Sequence, residues 1–468
     1  MSAVFDITAK RSIVSVSLGD VLVEIRNGLV ADQEKEQPGI PITRIETISK
    51  GVVDLERVRY VRNTAELKLD RFWLKSGDIL FSHINSDLHL GKTAIVMSDA
   101  PLLHGMNLLV LRTDRERLLP KYLHYWLDCC RRSGVFMAIA QHAVNQSSLN
   151  QKKITSLKIP LPSINEQEKI VAELEKQFSR LDEAVANLQR VKANLKRYKA
   201  SVLKEAVEGR LVPTEAELAR RDGRSFETGE QLLQRILDAR RAKWRSKGRY
   251  KEPLSHDPQA LLDVPDGWTW CSLDAVSAET LLGLDRGRDQ QRTDPVGVRY
   301  VKMNNVTMGG EVQIDDLVCV DASPEEVVRY ELVIGDLLFN TRNSLELVGK
   351  VGIVRSVPAR TVFNNNLMRI RTCSGVSSVF VGYQMCGPDF RQRMEKVKKA
   401  TTSVAAVYQK DLLPLAIALP PEREQVRIVA EVDRHLSIIR EVEAVVNVNL
   451  QRVQALRQAT LAKAFSAS

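Results

Sequence analysis

The strongest constraint on this chain is that it repeats itself. The pentapeptide GDILF begins at Gly77, and GDLLF begins at Gly335, 258 positions later. The same spacing relates Gly39 to Gly297, Gly51 to Gly309, Gly91-Lys92 to Gly349-Lys350, Ile95-Val96 to Ile353-Val354, and Gln151-Lys152 to Gln409-Lys410. It also relates EQEKIVAE, starting at Glu166, to EQVRIVAE, starting at Glu424. Matches at one spacing through most of each half mean two copies of one unit. A chain of 468 residues is also too long for a single ordinary core.

Each copy opens with mixed β and α character. Short strand-like runs (IPITRI, DILFSHI, KTAIVM, NLLVLRT) are separated by Gly, Asp and Asn turn signals. Helical stretches follow, PKYLHYWLDCCRRSGVFMAIA in the first copy and VGYQMCGPDFRQRMEKVKKA in the second. Proline-bearing strands, LKIPLP and LAIALPP, then run directly into long helices.

Those helices carry a seven-residue period. Leu174, Leu181, Leu188, Leu195 and Val202 form one line, with Phe178 and Val185 beside it, and Val432, Ile439, Val446, Val453 and Thr460 form its counterpart. A sustained heptad of apolar residues is the seam of a coiled coil. Each helix should run about 40 residues, roughly 60 Å. Each could pack on its own globular domain. Packing on each other is expected instead, since neither has another apolar partner of equal length. The pseudo-symmetry makes the pair antiparallel, with the domains at opposite ends.

The expected fold is therefore α+β: two mixed α/β domains separated by an antiparallel coiled coil, with an internal pseudo-two-fold repeat. The expected boundaries are 1–163 for the first domain, 164–208 for its helix, 266–421 for the second domain and 422–468 for the second helix. Residues 209–265 have no counterpart after the second helix. GEQLLQRILDARRAKWRSKGRYK reads as a basic helix leading into a polar, proline-containing linker. Trp244 could anchor this helix on the coiled coil or on a partner, or the segment could be a solvated connector.

Composition narrows function by exclusion. No apolar run approaches the roughly 20 residues of a membrane span. The N-terminal residues show no signal-peptide pattern, so a cytoplasmic location is expected. Six scattered cysteines form no C-x-x-C or Cys/His cluster, so neither zinc nor a disulfide framework is expected. Net charge is +10, and residues 209–252 hold 12 Lys/Arg against 7 Asp/Glu. That excess suits a phosphate-rich partner without proving one.

Signatures of catalysis are missing. There is no GxGxxG, no Walker GxxxxGK[ST], no H-E-x-x-H and no G-x-S-x-G. The one Pro-Pro, Pro420-Pro421, is a helix entry rather than part of a methyltransferase loop. Glu66-Leu67-Lys68 with Asp54 upstream loosely suggests a nuclease metal site, but the second copy does not preserve it. No metal site is expected.

Taken together, GDILF/GDLLF with its following Gly-Lys, the strand–Pro–EQxxIVAE entry, the central GEQLL…R…W segment and the restart at PDGWTWCSL resemble the specificity subunits of type I restriction–modification systems. The resemblance covers nearly the whole chain. It implies a non-catalytic subunit whose two target-recognition domains each read one half of a bipartite, asymmetric site in double-stranded DNA. The coiled coil would set the gap and dock two methyltransferase subunits. It implies no cofactor in this chain, with S-adenosylmethionine on those subunits and ATP and magnesium on restriction subunits that join them.

Base readers would then lie where polar side chains concentrate in loops and the copies differ: residues 81–92 and 141–152 in the first copy, and 339–350, 363–366 and 399–410 in the second. The candidates are Asn85, Lys92, Gln146 and Ser147, and Arg342, Asn343, Lys350, Asn365 and Thr402. Each could equally be a turn former or a backbone hydrogen-bonding group. Lys92 and Lys350, being equivalent, fit phosphate or structural roles better than base reading. Related methylating or both-sides-cutting enzymes have similar specificity partners, a coiled-coil scaffold that binds proteins is the alternative from another class, and a hidden enzyme is the third reading.

Overall fold

The computed structural model describes residues 14–466 apart from 63–67, 100, 144–145, 245–248, 257–260, 262 and 402–403. The N-terminal residues 1–13, Glu66 and Leu67 of the nuclease-like tripeptide, and the candidate Thr402 lie outside the described residues. The chain divides into two compact units, one of residues 1–190 with 446–468 and one of 191–445.

The first unit is built on a four-stranded antiparallel sheet, in the order Leu22–Asn27, Leu108–Thr113, Ile79–Ser82, Thr93–Ile95. Both faces of GDILF are covered, so Ile79, Leu80 and Phe81 are all fully buried. Phe81, Leu109 and Leu111 face a cluster with Tyr122, Leu123 and Trp126 of the helix Pro120–Arg132. Leu80, Leu108 and Val110 face the other way, onto Ile48 and Leu74. Such strands read as continuous apolar runs because neither face meets water.

The second unit repeats the plan strand for strand: Ser277–Leu282, Leu367–Thr372, Leu337–Asn340, Val351–Ile353. Even the bulge early in the edge strand recurs, between Leu22 and Glu24 in one copy and between Ser277 and Glu279 in the other. A neighbouring carboxylate–guanidinium lattice also recurs. Arg112 joins Asp78 and Glu24, and Arg371 joins Asp336 and Glu279.

The long helices span Ile164–Val207 and Glu422–Ser466. Each is docked at its first turn by a buried glutamine. Gln167 accepts from the Leu119 amide (2.9 Å) and donates to the carbonyls of Arg117 (2.8 Å) and Pro162 (3.0 Å). Gln425 does the same with the Ser377 amide (2.7 Å) and the carbonyls of Gly375 (3.3 Å) and Pro420 (3.0 Å). This is the physical content of the EQxxIVAE motif: the glutamine satisfies backbone groups that the strand-to-helix turn would otherwise bury unpaired.

The two helices pack against each other in both units, and they run antiparallel. In the first unit Leu174 and Phe178 cluster with Leu461, Arg457 lies over the Phe178 ring and pairs with Asp182 at 2.7 Å. In the second unit the partner of Tyr198 is His435, at 2.7 Å. Leu174, Val202, Val432, Ile439 and Val446 are buried, and Leu181, Leu188, Leu195 and Val453 are half-buried.

The central segment forms two helices, Glu215–Asp222 and Gly229–Lys243, each with a threonine capping box. Leu232 and Ile236 enter the main core of the second unit, so this segment is more than a solvated connector. Those aliphatic residues seat the helix, whereas Trp244 stands at its C-terminal end with its ring edge-on to Tyr250. Glu424, equivalent to Glu166, is fully buried here. It accepts from the Trp268 indole at 2.8 Å and from the Glu215 amide at 2.7 Å.

Among the described residues no helix is long and apolar enough to cross a membrane. No group of three or more His, Cys, Asp or Glu among them could hold a metal ion.

Candidate nucleic-acid interface

Each unit carries a second, small three-stranded antiparallel sheet that gathers the loop candidates. In the first unit the strand Gln146–Ser148 lies between Ile84–Asn85 and Gln141–Ala143, with Ser147 opposite both Asn85 and His142. In the second unit Ala405–Ala406 lies between Arg342–Asn343 and Lys399–Ala400. Segments some 60 residues apart in sequence thus meet in one ribbon.

The loop from residue 82 to 92, and its copy from 340 to 350, is held by an equivalent hydrogen-bond frame. The Asn85 amide donates to the Ser82 hydroxyl (3.0 Å) while its carbonyl oxygen accepts from the Ser86 N–H (2.9 Å). Asn343 does the same with Asn340 (2.9 Å) and Ser344 (2.9 Å). The Gly91 and Gly349 amides donate to the carbonyls of Ser82 (2.8 Å) and Asn340 (2.9 Å). Both glycines have positive φ, and a Cβ would strike Phe136 in one copy and Met394 in the other.

The adjacent lysines close the frame. Lys92 Nζ donates to the Ser49 carbonyl at 2.8 Å, and Lys350 Nζ to the Met303 carbonyl at 2.7 Å. Burial lowers the pKa of both ammonium groups, since a desolvated charge is disfavoured. Asn85, Asn343, Lys92 and Lys350 are therefore engaged within the protein.

The remaining candidates differ. Gln146 and Arg342 are exposed, and among the described residues their side chains have no partner. Asn365 is half-buried in the turn beside the second small sheet, where its backbone N–H donates to Leu284. Ser147 is 1% exposed and sits between two groups the sequence reading did not single out. Its hydroxyl donates to Asp87 (2.5 Å), and its one proton being so placed, it accepts from His142 Nδ1 (2.8 Å). In a nucleophilic triad the imidazole lies between hydroxyl and carboxylate. Here the serine lies between, so the cluster fixes the loop and offers no activated nucleophile. Lys399, also unnamed by the sequence reading, stands over Tyr408 (5.5 Å) and pairs with Asp411 at 3.4 Å. Asp87 and Lys399 lay within the candidate loops, and only the strand pairing shows where they stand.

The comparisons with known proteins match this architecture. A family model described as the type I restriction modification DNA specificity domain matches residues 11–196. The likeness to the type I restriction–modification specificity family thus covers the first domain and most of the long helix that follows it. The chain is 49% identical over 154 residues to the specificity subunit of the type I restriction enzyme MjaX of Methanocaldococcus jannaschii, covering 33% of this chain and 36% of that protein. It is 31% identical over 172 residues to the EcoKI specificity subunit of Escherichia coli K12, covering 36% of this chain and 37% of that one. The matches thus span little more than a third of the length of these relatives. The fold is shared over nearly the full length with a chain from a structural study of a type I R-M system's complex assembly and conformational transition. That likeness has a TM-score of 0.60 at 19% identity, over 96% of this chain and 97% of the other.

Proposed function

We propose that this chain is the DNA sequence-specificity subunit of a type I restriction–modification complex. Each unit reads one half of a bipartite, asymmetric target in double-stranded DNA through its small three-stranded sheet and adjoining turns. The paired long helices set the gap between halves and dock two methyltransferase subunits, which bring S-adenosylmethionine. Restriction subunits, with ATP and magnesium, join that assembly. The chain itself performs no catalysis.

One observation carries this reading: two copies of the same hydrogen-bonded frame present different side chains to solvent. A frame kept equivalent is what positioning on a uniform phosphate backbone requires, and divergent exposed groups are what two unlike half-sites require. The net charge of +10 agrees.

The test is co-expression of the full chain with the methyltransferase subunit of its own system, followed by mapping of methylated adenines across a genome. One bipartite, asymmetric motif is expected. A continuous motif, or none, refutes the proposal. Exchanging residues 1–150 with those of a relative should change one half of the motif only. Adding one heptad to both long helices should lengthen the gap by about three base pairs, since seven residues rise about 10 Å.

A further inference from the structure

Resting on that reading, we infer that Arg342 reads a guanine in the half-site bound by the second unit. Position 342 stands within the repeated frame. The residues that hold the frame after it match the first copy: Asn343 matches Asn85, Ser344 matches Ser86, Gly349 matches Gly91 and Lys350 matches Lys92, while Asn340 and Thr341 replace Ser82 and His83. Position 342 does not match either. The first unit has the half-buried Ile84 where the second has an exposed arginine.

That contrast separates base from phosphate. The sugar–phosphate backbone is the same in both half-sites, so a backbone contact made by a duplicated loop has every reason to persist in both copies. A contact to a base edge has every reason to differ. Arg342 differs, while the lysines that persist, Lys92 and Lys350, have their ammonium groups tied to backbone carbonyls.

Among the described residues, the surroundings leave the guanidinium free to act. Arg342 pairs across the small sheet with Ala406, and Ala406 in turn lies opposite Lys399. A methyl group opposite it adds little bulk beside the guanidinium. Among the described residues no carboxylate or carbonyl engages it, unlike Arg371 and Arg369, which are tied to Glu279. A narrow β-ribbon fits the major groove, and the planar fork of arginine matches the O6 and N7 acceptors of guanine bidentately. Ile84 can offer an equivalent base only apolar contact, of the kind a thymine methyl accepts.

The experiment uses the full chain co-expressed with its methyltransferase subunit, in wild-type, Arg342→Ala and Arg342→Lys forms, with methylated motifs mapped genome-wide. The expected wild-type motif holds a fixed G·C pair in the half that does not change when residues 1–150 are exchanged. Arg342→Ala should relax that one pair, cutting discrimination at it by about 5- to 150-fold. Arg342→Lys keeps the charge but loses the fork, so it should retain overall methylation and still lose discrimination. Uniformly weaker methylation with an unchanged motif in Arg342→Ala, or recovery of the full motif in Arg342→Lys, identifies a phosphate contact and overturns the inference. A half-site without a fixed G·C pair overturns it too. A wild-type chain that yields no bipartite motif refutes the proposed function itself, and this inference with it.

Discussion

Replacing Gln425 with alanine tests whether the motif at the helix entry does what its geometry implies. The side chain is fully buried and makes three hydrogen bonds to backbone, at 2.7, 3.0 and 3.3 Å. Truncation leaves the half-buried Ser377 N–H without its acceptor, which costs about 1–3 kcal/mol. Two carbonyls each lose a donor, and the vacated volume adds a cavity cost. The expected destabilisation is about 3–4 kcal/mol. Gln425→Glu should do no better, because the acceptor survives but a carboxylate now faces two carbonyls. Hydrogen exchange read by mass spectrometry checks this region by region. Peptides from the first turns of the second long helix and from residues 375–386 should exchange on the order of 100-fold faster, a change of about 3 kcal/mol. Gln167→Ala should do the same around residues 117–132 and 162–170. Each substitution should leave the other unit's peptides unchanged. A change below about 1 kcal/mol, or one that spreads equally over both units, would refute the assignment.

Two further predictions exploit places where the copies differ. His104 is fully buried, with Arg26 donating to its Nδ1 (3.3 Å) and its Nε2 paired with the Leu108 carbonyl (3.1 Å). Burial pushes it down to about 3, and burial pushes nearby His83 down to about 4. Below about pH 6.5 the unfolded chain takes up protons that the folded imidazoles refuse. Stability of the first unit is thus full above pH 6.5 and falls as pH drops toward 4, by roughly 3 kcal/mol per histidine. The second unit has Val362 and Thr341 at these positions and should lack that slope, and His104→Gln should remove part of it. Acid titration followed by regional hydrogen exchange checks both statements. At the equivalent acidic positions, Glu424→Ala should cost about 2–4 kcal/mol, because it strands the Trp268 indole and the Glu215 amide. Glu166→Ala removes a capping-box contact to Ser163 and should cost less, about 1 kcal/mol. Chemical denaturation of the two variants side by side decides it, and equal costs would refute the distinction.

The sequence alone determined the plan of this protein. A spacing of 258 residues and two heptad lines gave away two copies of one domain and two long helices expected to pair, because apolar periodicity is a local property of the chain. The antiparallel pairing followed from the pseudo-symmetry, and Asp182–Arg457 and Tyr198–His435 carry it. What each polar loop residue does was decided only by tertiary structure. Asn85 and Arg342 look equally suited to DNA in the sequence. One folds its amide back into its own loop, while the side chain of the other has no partner among the described residues. Lys92 and Lys350 look like surface cations until the chain brings the carbonyls of Ser49 and Met303 to them, from more than 40 residues away. The physical reason is the same in each case. A backbone pattern repeats where neighbours in sequence are enough to define it, but a hydrogen-bond partner is a coordinate in space, and only the folded chain supplies it.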